Sequence, residues 1–413
     1  MTLANALAEI NSAAAVRERA HEMLALADAQ QTQHFELLRA QLPAAINMVA
    51  RTTRERYPDL QIPFHSRWRH FEVDGVSRFA APRERHFAGD ALAQARASID
   101  LAVVSVLLDA GAGADWHYVD GHGQTHQRSE GLAIASLEAF LHGSFSTEHA
   151  CPLQADAQGL ANATTEDVAK VFQVSTANPM LGLPGRAGLL RALAGALHAR
   201  PDYFGESGPR PGHLVDFWLR DNPTRTIAAP RVLAAVLDAF GSIWPGRERL
   251  HDAAHGDVAL GDVWRHPQIR RSDLTDQLVP FHKLSQWLTY SLLEPLQACG
   301  FTITELDGLT GLAEYRNGGL LVDAGVLVPH ENAAFKIRHE PSAALIVEWR
   351  ALTVALLDEI AVGVREEMGL DATSLPLASV LEGGTWAAGR RMAAARRQDS
   401  GPPLQIVSDG TVF

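Results

Sequence analysis

The sequence predicts a mainly α fold with a small β element. Three observations carry this expectation. Long Ala/Leu-rich stretches repeat apolar residues at i, i+3 and i+4, the period of an amphipathic helix. Strand signals are few and short. No GxGxxG, no Walker loop, no strand–helix alternation and no fixed-period repeat occurs.

Taken in order, the helical stretches are 13–29, 34–57, 90–110, 130–141, 165–172, 186–198, 230–240, 280–298 and 343–367. Thr165 ahead of Glu166 and Asp167, Pro230 in a first turn, and Ser342 after Pro341 read as N-terminal signals. Gly300 reads as the C-terminal cap of the 280–298 helix. The strand signals are 69–73, 117–119, 301–303, 320–328 and 405–407. The 413 residues are 46% hydrophobic, enough for a large core. We expect an N-terminal helical region over 1–130, a helical core carrying the site over 131–370, and a C-terminal tail over 371–413 packed on that core.

Composition also excludes function classes. A net charge of −12 repels a phosphate backbone, which argues against a nucleic-acid partner. It leaves room for a small phosphorylated ligand held by a few local cations. The two cysteines, Cys151 and Cys299, form no CxxC and no disulfide framework, as expected for a reducing, cytoplasmic setting. The first residues, MTLANALAEINSAAAVRERAHEM, read as an amphipathic helix and not as a signal peptide. No apolar run approaches the roughly 18 residues needed to span a bilayer. No membrane partner is expected, and self-association is left open.

Chemistry concentrates in "LTGLAEYRNGGLLVD", Leu309 to Asp323. Glu314, Tyr315 and Arg316 stand together ahead of Gly318 and Gly319, and GGLLVDAGVLV reads as strand, turn and strand. A carboxylate at such a turn can be aimed into a cleft to stabilise a cation or activate water. A surface Glu314–Arg316 ion pair is the plain alternative. In "PFHKLSQWLTYSLLEP", His282, Gln286 and Tyr290 share one i, i+4 face. His282 and Lys283 in a first helical turn suit a phosphate, and a buried His282 satisfied by a carbonyl is the alternative. In "IPFHSRWRHFEVDG", Arg67 and Arg69 lie two apart on a strand. They form either an anion clamp or a solvated edge. "GSFSTEHACPLQAD" offers Ser144, Ser146, Glu148 and His149 to a pocket, with nothing diagnostic of a Cys151 nucleophile. Asp216 and Arg220 are spaced for an ion pair on one helix. The histidines, including His117, His122, His126, His251 and His255, show no HEXXH and call for no metal.

These blocks resemble a known family. "HSRWRHFEVDG", "GSFSTEHACPLQAD", "PFHKLSQWLTYSLLEP", "LTGLAEYRNGGLLVD" and the terminal "SDGTVF" are similar to the uracil-catabolism proteins that are the fourth component of the URC pathway. The resemblance runs from about residue 14 onward. More distantly, "AEYRNGG" is similar to the ADYR block of queuosine-5'-phosphate nucleosidases, whose fold resembles helical DNA glycosylases. It implies a helical multi-lobed fold and N-glycosidic cleavage. Glu314 matches the Asp of that block, one methylene longer, and Tyr315 and Arg316 match the next two positions.

The resulting expectation is an N-glycosidic hydrolase in uracil catabolism. It would release urea and ribose 5-phosphate from a phosphorylated ribosylurea. Glu314, Tyr315 and Arg316 would be the catalytic group. Lys283 and His282 are the first choice for the substrate phosphate and Arg67 and Arg69 the second. Gln286, His149, Asp307 and Asp323 complete the candidate binding residues. No metal or organic cofactor is called for. Two other readings stand beside this one, a metal-dependent amidohydrolase of a ureido intermediate and a non-catalytic pathway scaffold.

Overall fold

The computed structural model describes residues 2–113, 115–148, 150–244, 248–252 and 256–407. The fold is mainly α with a small β element, and every sheet among the described residues is a two-stranded pair. The chain forms two compact units, each assembled from separated segments. Among the described residues, the first comprises 2–65, 248–286 and 305–407, and the second comprises 66–244 and 287–304. Each unit thus joins segments that are distant in the sequence. No helix among the described residues is long and apolar enough to cross a membrane.

The first unit is organised on helix Ala344–Met368. Its apolar residues from Ile346 to Leu357, with Ile360, Ala361 and Val364, are buried, and it packs against helices Ala13–Asp28 and Leu42–Arg56. Helix Leu3–Ile10 buries Leu3, Ala6 and Ile10 against Leu250, Leu260, Val263 and Leu278. Antiparallel strands Phe35–Leu37 and Leu327–Pro329 pair, as do Val263–Arg265 and Leu278–Pro280. The tail returns to this unit: Leu404 is buried, and Gln405–Ile406 pairs with Arg338–His339. The terminal SDGTVF lies outside the described residues.

The second unit buries helices Ala91–Leu107 and Arg128–Leu141, with Trp116 and Trp218 fully enclosed. Asp100 sits in its interior, accepting from Gly212 N at 2.6 Å and Arg210 Nε at 2.8 Å. Strands Thr226–Ala228 and Thr302–Thr304 pair in parallel.

Several local expectations are corrected. Residues 315–323 are a helix, Tyr315–Asp323, and not a strand; only Leu327–Pro329 is extended. Arg67–Phe71 is a 3-10 helix ahead of the short strand Glu72–Val73, so Arg67 and Arg69 do not share a strand face. The helix expected from 280 begins at Lys283, because Leu278–Pro280 pairs as a strand and His282 takes φ +47°. Helix Ala344–Met368 is preceded by Ala343 with no side-chain cap, where Ser342 was expected. Thr164, and not Thr165, caps helix Thr165–Val171, in a capping box with Asp167. Asp216 pairs with Arg96 at 2.5 Å instead of Arg220. Gly300 does close its helix, with φ +89° and Phe301 N returning to Leu296 O at 3.0 Å.

Helix Trp386–Arg396 packs tightly on helix Tyr315–Asp323, and Gly389 makes the approach possible. A Cβ there would overlap the Arg316 carbonyl oxygen. Ahead of it, a π-helical turn, Leu381–Thr385, carries the buried Glu382. Glu382 accepts from Arg56 at 2.8 Å and Tyr57 at 2.9 Å, and pairs with His65 at 2.9 Å. Burial opposes its ionisation, but His65 and Arg56 prevail and hold its pKa at about 2.

Gly389→Ala should lower stability by about 1–3 kcal/mol in thermal or denaturant melts. Gly188→Ala, at a helical position with open space around the added methyl, should be neutral or slightly stabilising. Glu382 ionises more readily folded than unfolded, so its contribution is complete above its ordinary pKa of 4.5 and is lost as pH falls toward about 2. Melting temperature against pH should therefore fall less steeply across that window in Glu382→Gln than in wild type. Parallel curves would refute the assignment.

Candidate functional site

The site builds outward from one helix start. Leu309, Leu312 and Ala313 are buried, which brings the chain out of the core at Glu314 in extended conformation. Helix Tyr315–Asp323 begins at the next residue, and Glu314 is its N-cap. Glu314 Oε2 accepts from Arg316 N at 2.7 Å, and Oε1 accepts from Asn317 N at 2.6 Å. The carboxylate is thus held by the positive end of the helix and not by a strand turn. Helix capping is a structural role in its own right, and it also fixes where the two oxygens point.

The neighbouring residues lock this start. The Asn317 amide donates to Leu312 O at 3.2 Å. Arg316 is buried, donates from Nη1 to Ser400 O at 2.8 Å, and lies 4.9 Å from the centre of the Tyr315 ring. The Trp349 indole donates to Gly318 O at 3.1 Å.

A buried ion pair places Lys283 beside the same start. Arg350 meets Asp262 through two hydrogen bonds of 2.7 and 2.8 Å, and its Nε donates to Ala313 O at 3.3 Å. Asp262 Oδ2 also accepts from the Lys283 backbone N–H at 2.9 Å. Phe281 underlies the Arg350 guanidinium at 4.0 Å. Burial would raise the Asp262 pKa, but the Arg350 charge and the converging donors bring it to about 2. One ion pair therefore holds the residue preceding Glu314 and the backbone of Lys283.

Burial pushes the Glu314 pKa above its ordinary value. The N–H groups of Arg316 and Asn317 and the charges of Lys283 and Arg316 act against that rise without cancelling it. Glu314 and Lys283 each keep some accessible surface. The arrangement can present a poised carboxyl and an ammonium to one small anionic ligand.

The other candidate residues have identifiable partners. His282 is buried and donates from Nε2 to Ile10 O at 2.9 Å, and burial lowers its pKa. Gln286 is buried, with its amide on Phe281 O and Thr310 Oγ1 and its Oε1 accepting from Thr310 N at 3.0 Å. Asp307 pairs with Arg365 at 2.5 Å, and Asp323 pairs with Arg397 through 2.7 and 2.5 Å contacts. In the second unit, Arg67 is fully buried on Asp109 and Ser105, each at 2.7 Å. Arg69 meets Glu294 at 2.6 Å and Glu72 at 2.9 Å. The two arginines thus have carboxylate partners of their own. His149 lies outside the described residues. Ser144 and Ser146 line a separate cavity of about 260 Å³ in the second unit, with Thr147, Asn162 and Asp167.

Asp262 and Arg350 escaped the sequence reading. The signal was Glu348 and Arg350 inside the otherwise apolar ALIVEWRALTVALL, where buried charges demand partners. Arg350→Met should leave Asp262 buried and unpaired, at a cost of roughly 3–5 kcal/mol in denaturant unfolding. Adding Asp262→Asn should recover part of that loss; an additive double variant would deny the coupling.

Known proteins give this chain its relatives. A family model described as "Protein of unknown function (DUF1688)" matches residues 9–413. The chain is 36% identical over 447 residues to "Uracil catabolism protein 4" of Lachancea kluyveri, covering 100% of both chains. It is 36% identical over 421 residues to "Protein urg3" of Schizosaccharomyces pombe, covering 98% of this chain and 99% of that one. The chain belongs to the DUF1688 family.

Proposed function

We propose that this DUF1688 protein acts in uracil catabolism as an N-glycosidic hydrolase, cleaving a ribosylurea-type 5'-phosphate into urea and ribose 5-phosphate. The pathway assignment rests on the name of the full-length Lachancea kluyveri relative. The reaction assignment rests on one observation: Glu314 is a carboxyl of raised pKa, pinned by two helix N–H groups, with the Lys283 charge acting on it.

The chemistry suits that group. Breaking the bond from the sugar C1' to the urea nitrogen develops positive charge on C1' and the ring oxygen. A fixed carboxylate stabilises that charge and accepts a proton from the attacking water. Water oxygen bonds to C1', the bonding pair leaves with the urea nitrogen, and that nitrogen takes up the proton Glu314 received from the water, which restores the carboxylate. Lys283 holds the 5'-phosphate as a point charge. Tyr315 orients the sugar, and Arg316, tied to Ser400, anchors the block.

Purified protein should release urea and ribose 5-phosphate in equal amounts from N-ribosylurea 5-phosphate. Glu314→Gln, shown folded by circular dichroism, should lose about 10²–10⁴-fold in kcat. Lys283→Ala should act mainly on KM. No release by wild type, or equal rates in wild type and Glu314→Gln, would overturn the reading. Ammonia in place of urea would point instead to hydrolysis of the ureido group.

A further inference from the structure

We propose that His34, His266 and Glu348 form a binding site for a divalent transition-metal ion of the zinc class, joining three separated segments of the first unit. One ligand atom from each lies within 4.8 Å of the others. His266 and Glu348 have no exposed surface, and His34 is half-buried. None of the three belongs to the Glu314 site described above.

Two buried nitrogens point to a missing partner. Nε2 of His34 and Nε2 of His266 are both buried without a hydrogen bond. Buried polar atoms are rarely left so. His266 Nε2 lies 3.6 Å from Glu348 Oε2, too far for a hydrogen bond. It is close to the roughly 3.4 Å edge of a tetrahedron drawn by ligands about 2.1 Å from zinc. The Gln268 N–H donates to His266 Nδ1 over a long 3.4 Å, a weak bond that metal binding at Nε2 would give up as the ring proton moves to Nδ1.

The carboxylate is already oriented. Glu348 Oε1 accepts from His34 N at 3.0 Å and Phe35 N at 2.8 Å, and Oε2 accepts from Gln33 N at 3.1 Å. Three successive N–H groups thus aim the carboxylate from outside the ligand set, as supporting hydrogen bonds do around metal sites. Two imidazoles and one carboxylate suit Zn²⁺, Co²⁺ or Fe²⁺ far better than Ca²⁺ or Mg²⁺. Such an ion would pin the segment before strand Phe35–Leu37, the residue after strand Val263–Arg265, and helix Ala344–Met368.

The test uses the untagged full chain, stripped with a chelator and dialysed, then titrated with Co²⁺ and separately with Zn²⁺. Expected are about one equivalent per chain by elemental analysis, a cobalt ligand-field spectrum of low coordination number, and a higher melting temperature with metal. His34→Ala and His266→Ala should each weaken the apparent affinity by at least about tenfold. His34 is only half-buried, so its variant decides the matter if His266→Ala fails to fold. Substoichiometric metal in folded wild type, or unchanged affinity in folded His34→Ala, would overturn the proposal. These readouts are independent of urea release, so they stand or fall separately from the Glu314 reaction.

Discussion

The Asp262–Arg350 ion pair is the constraint on which the first unit's chemistry depends. Both side chains are buried, and neither is tolerable there alone. Its stabilising value over an apolar pair is small in general, because desolvating two charges offsets most of their attraction. Its value here is positional. Arg350 reaches from helix Ala344–Met368 to the Ala313 carbonyl, and Asp262 reaches to the Lys283 backbone N–H. Segments about 90 residues apart in sequence are thereby set in one geometry, with hydrogen bonds at both ends of the pair. An apolar replacement would fill the space but release Ala313 and Lys283.

Around that pair the unit is closed by contacts that tolerate little change in volume. Helix Tyr315–Asp323 is short and mostly buried, so its position is set by its neighbours and not by its own helical tendency. Trp349 binds the Gly318 carbonyl, and Gly389 lets a second helix reach the Arg316 carbonyl. Glycine is a poor helix former, costing about 1 kcal/mol relative to alanine. Two adjacent glycines inside this helix make sense only where close approach outweighs that cost.

That trade explains what the sequence could and could not reveal. Long helices with an apolar stripe, such as Ala13–Asp28 and Ala344–Met368, were legible to within a residue or two, because periodicity survives any tertiary context. Helix Tyr315–Asp323 was not, since Gly318, Gly319 and an apolar run imitate a turn and a strand. The pairing of Arg67 with Asp109, 42 residues away, was equally hidden: spacing shows that two arginines are near each other, not which carboxylates they meet. The Glu314–Tyr315–Arg316 cluster stood out by composition. Of the partners that hold it, Arg350 showed only as a charge inside an apolar run, and Asp262 carried no such mark.

The capping geometry bears on why glutamate stands at position 314. Glu314 spreads its two oxygens over two successive N–H groups, Arg316 N and Asn317 N. Each oxygen of an ionised carboxylate has about two acceptor sites, so each retains one after that bond is made. The helix end favours the charged form and burial opposes it. The balance keeps the group ionisable without a neutralising ion pair at contact distance, unlike Asp307 and Asp323, which are closed off by Arg365 and Arg397. A carboxyl fixed in direction, partly accessible and not consumed by an arginine is what stabilisation of an oxocarbenium ion requires. Of the acidic residues in this stretch, Glu314 alone meets all three conditions among the described residues, which is why the proposed reaction is centred on it.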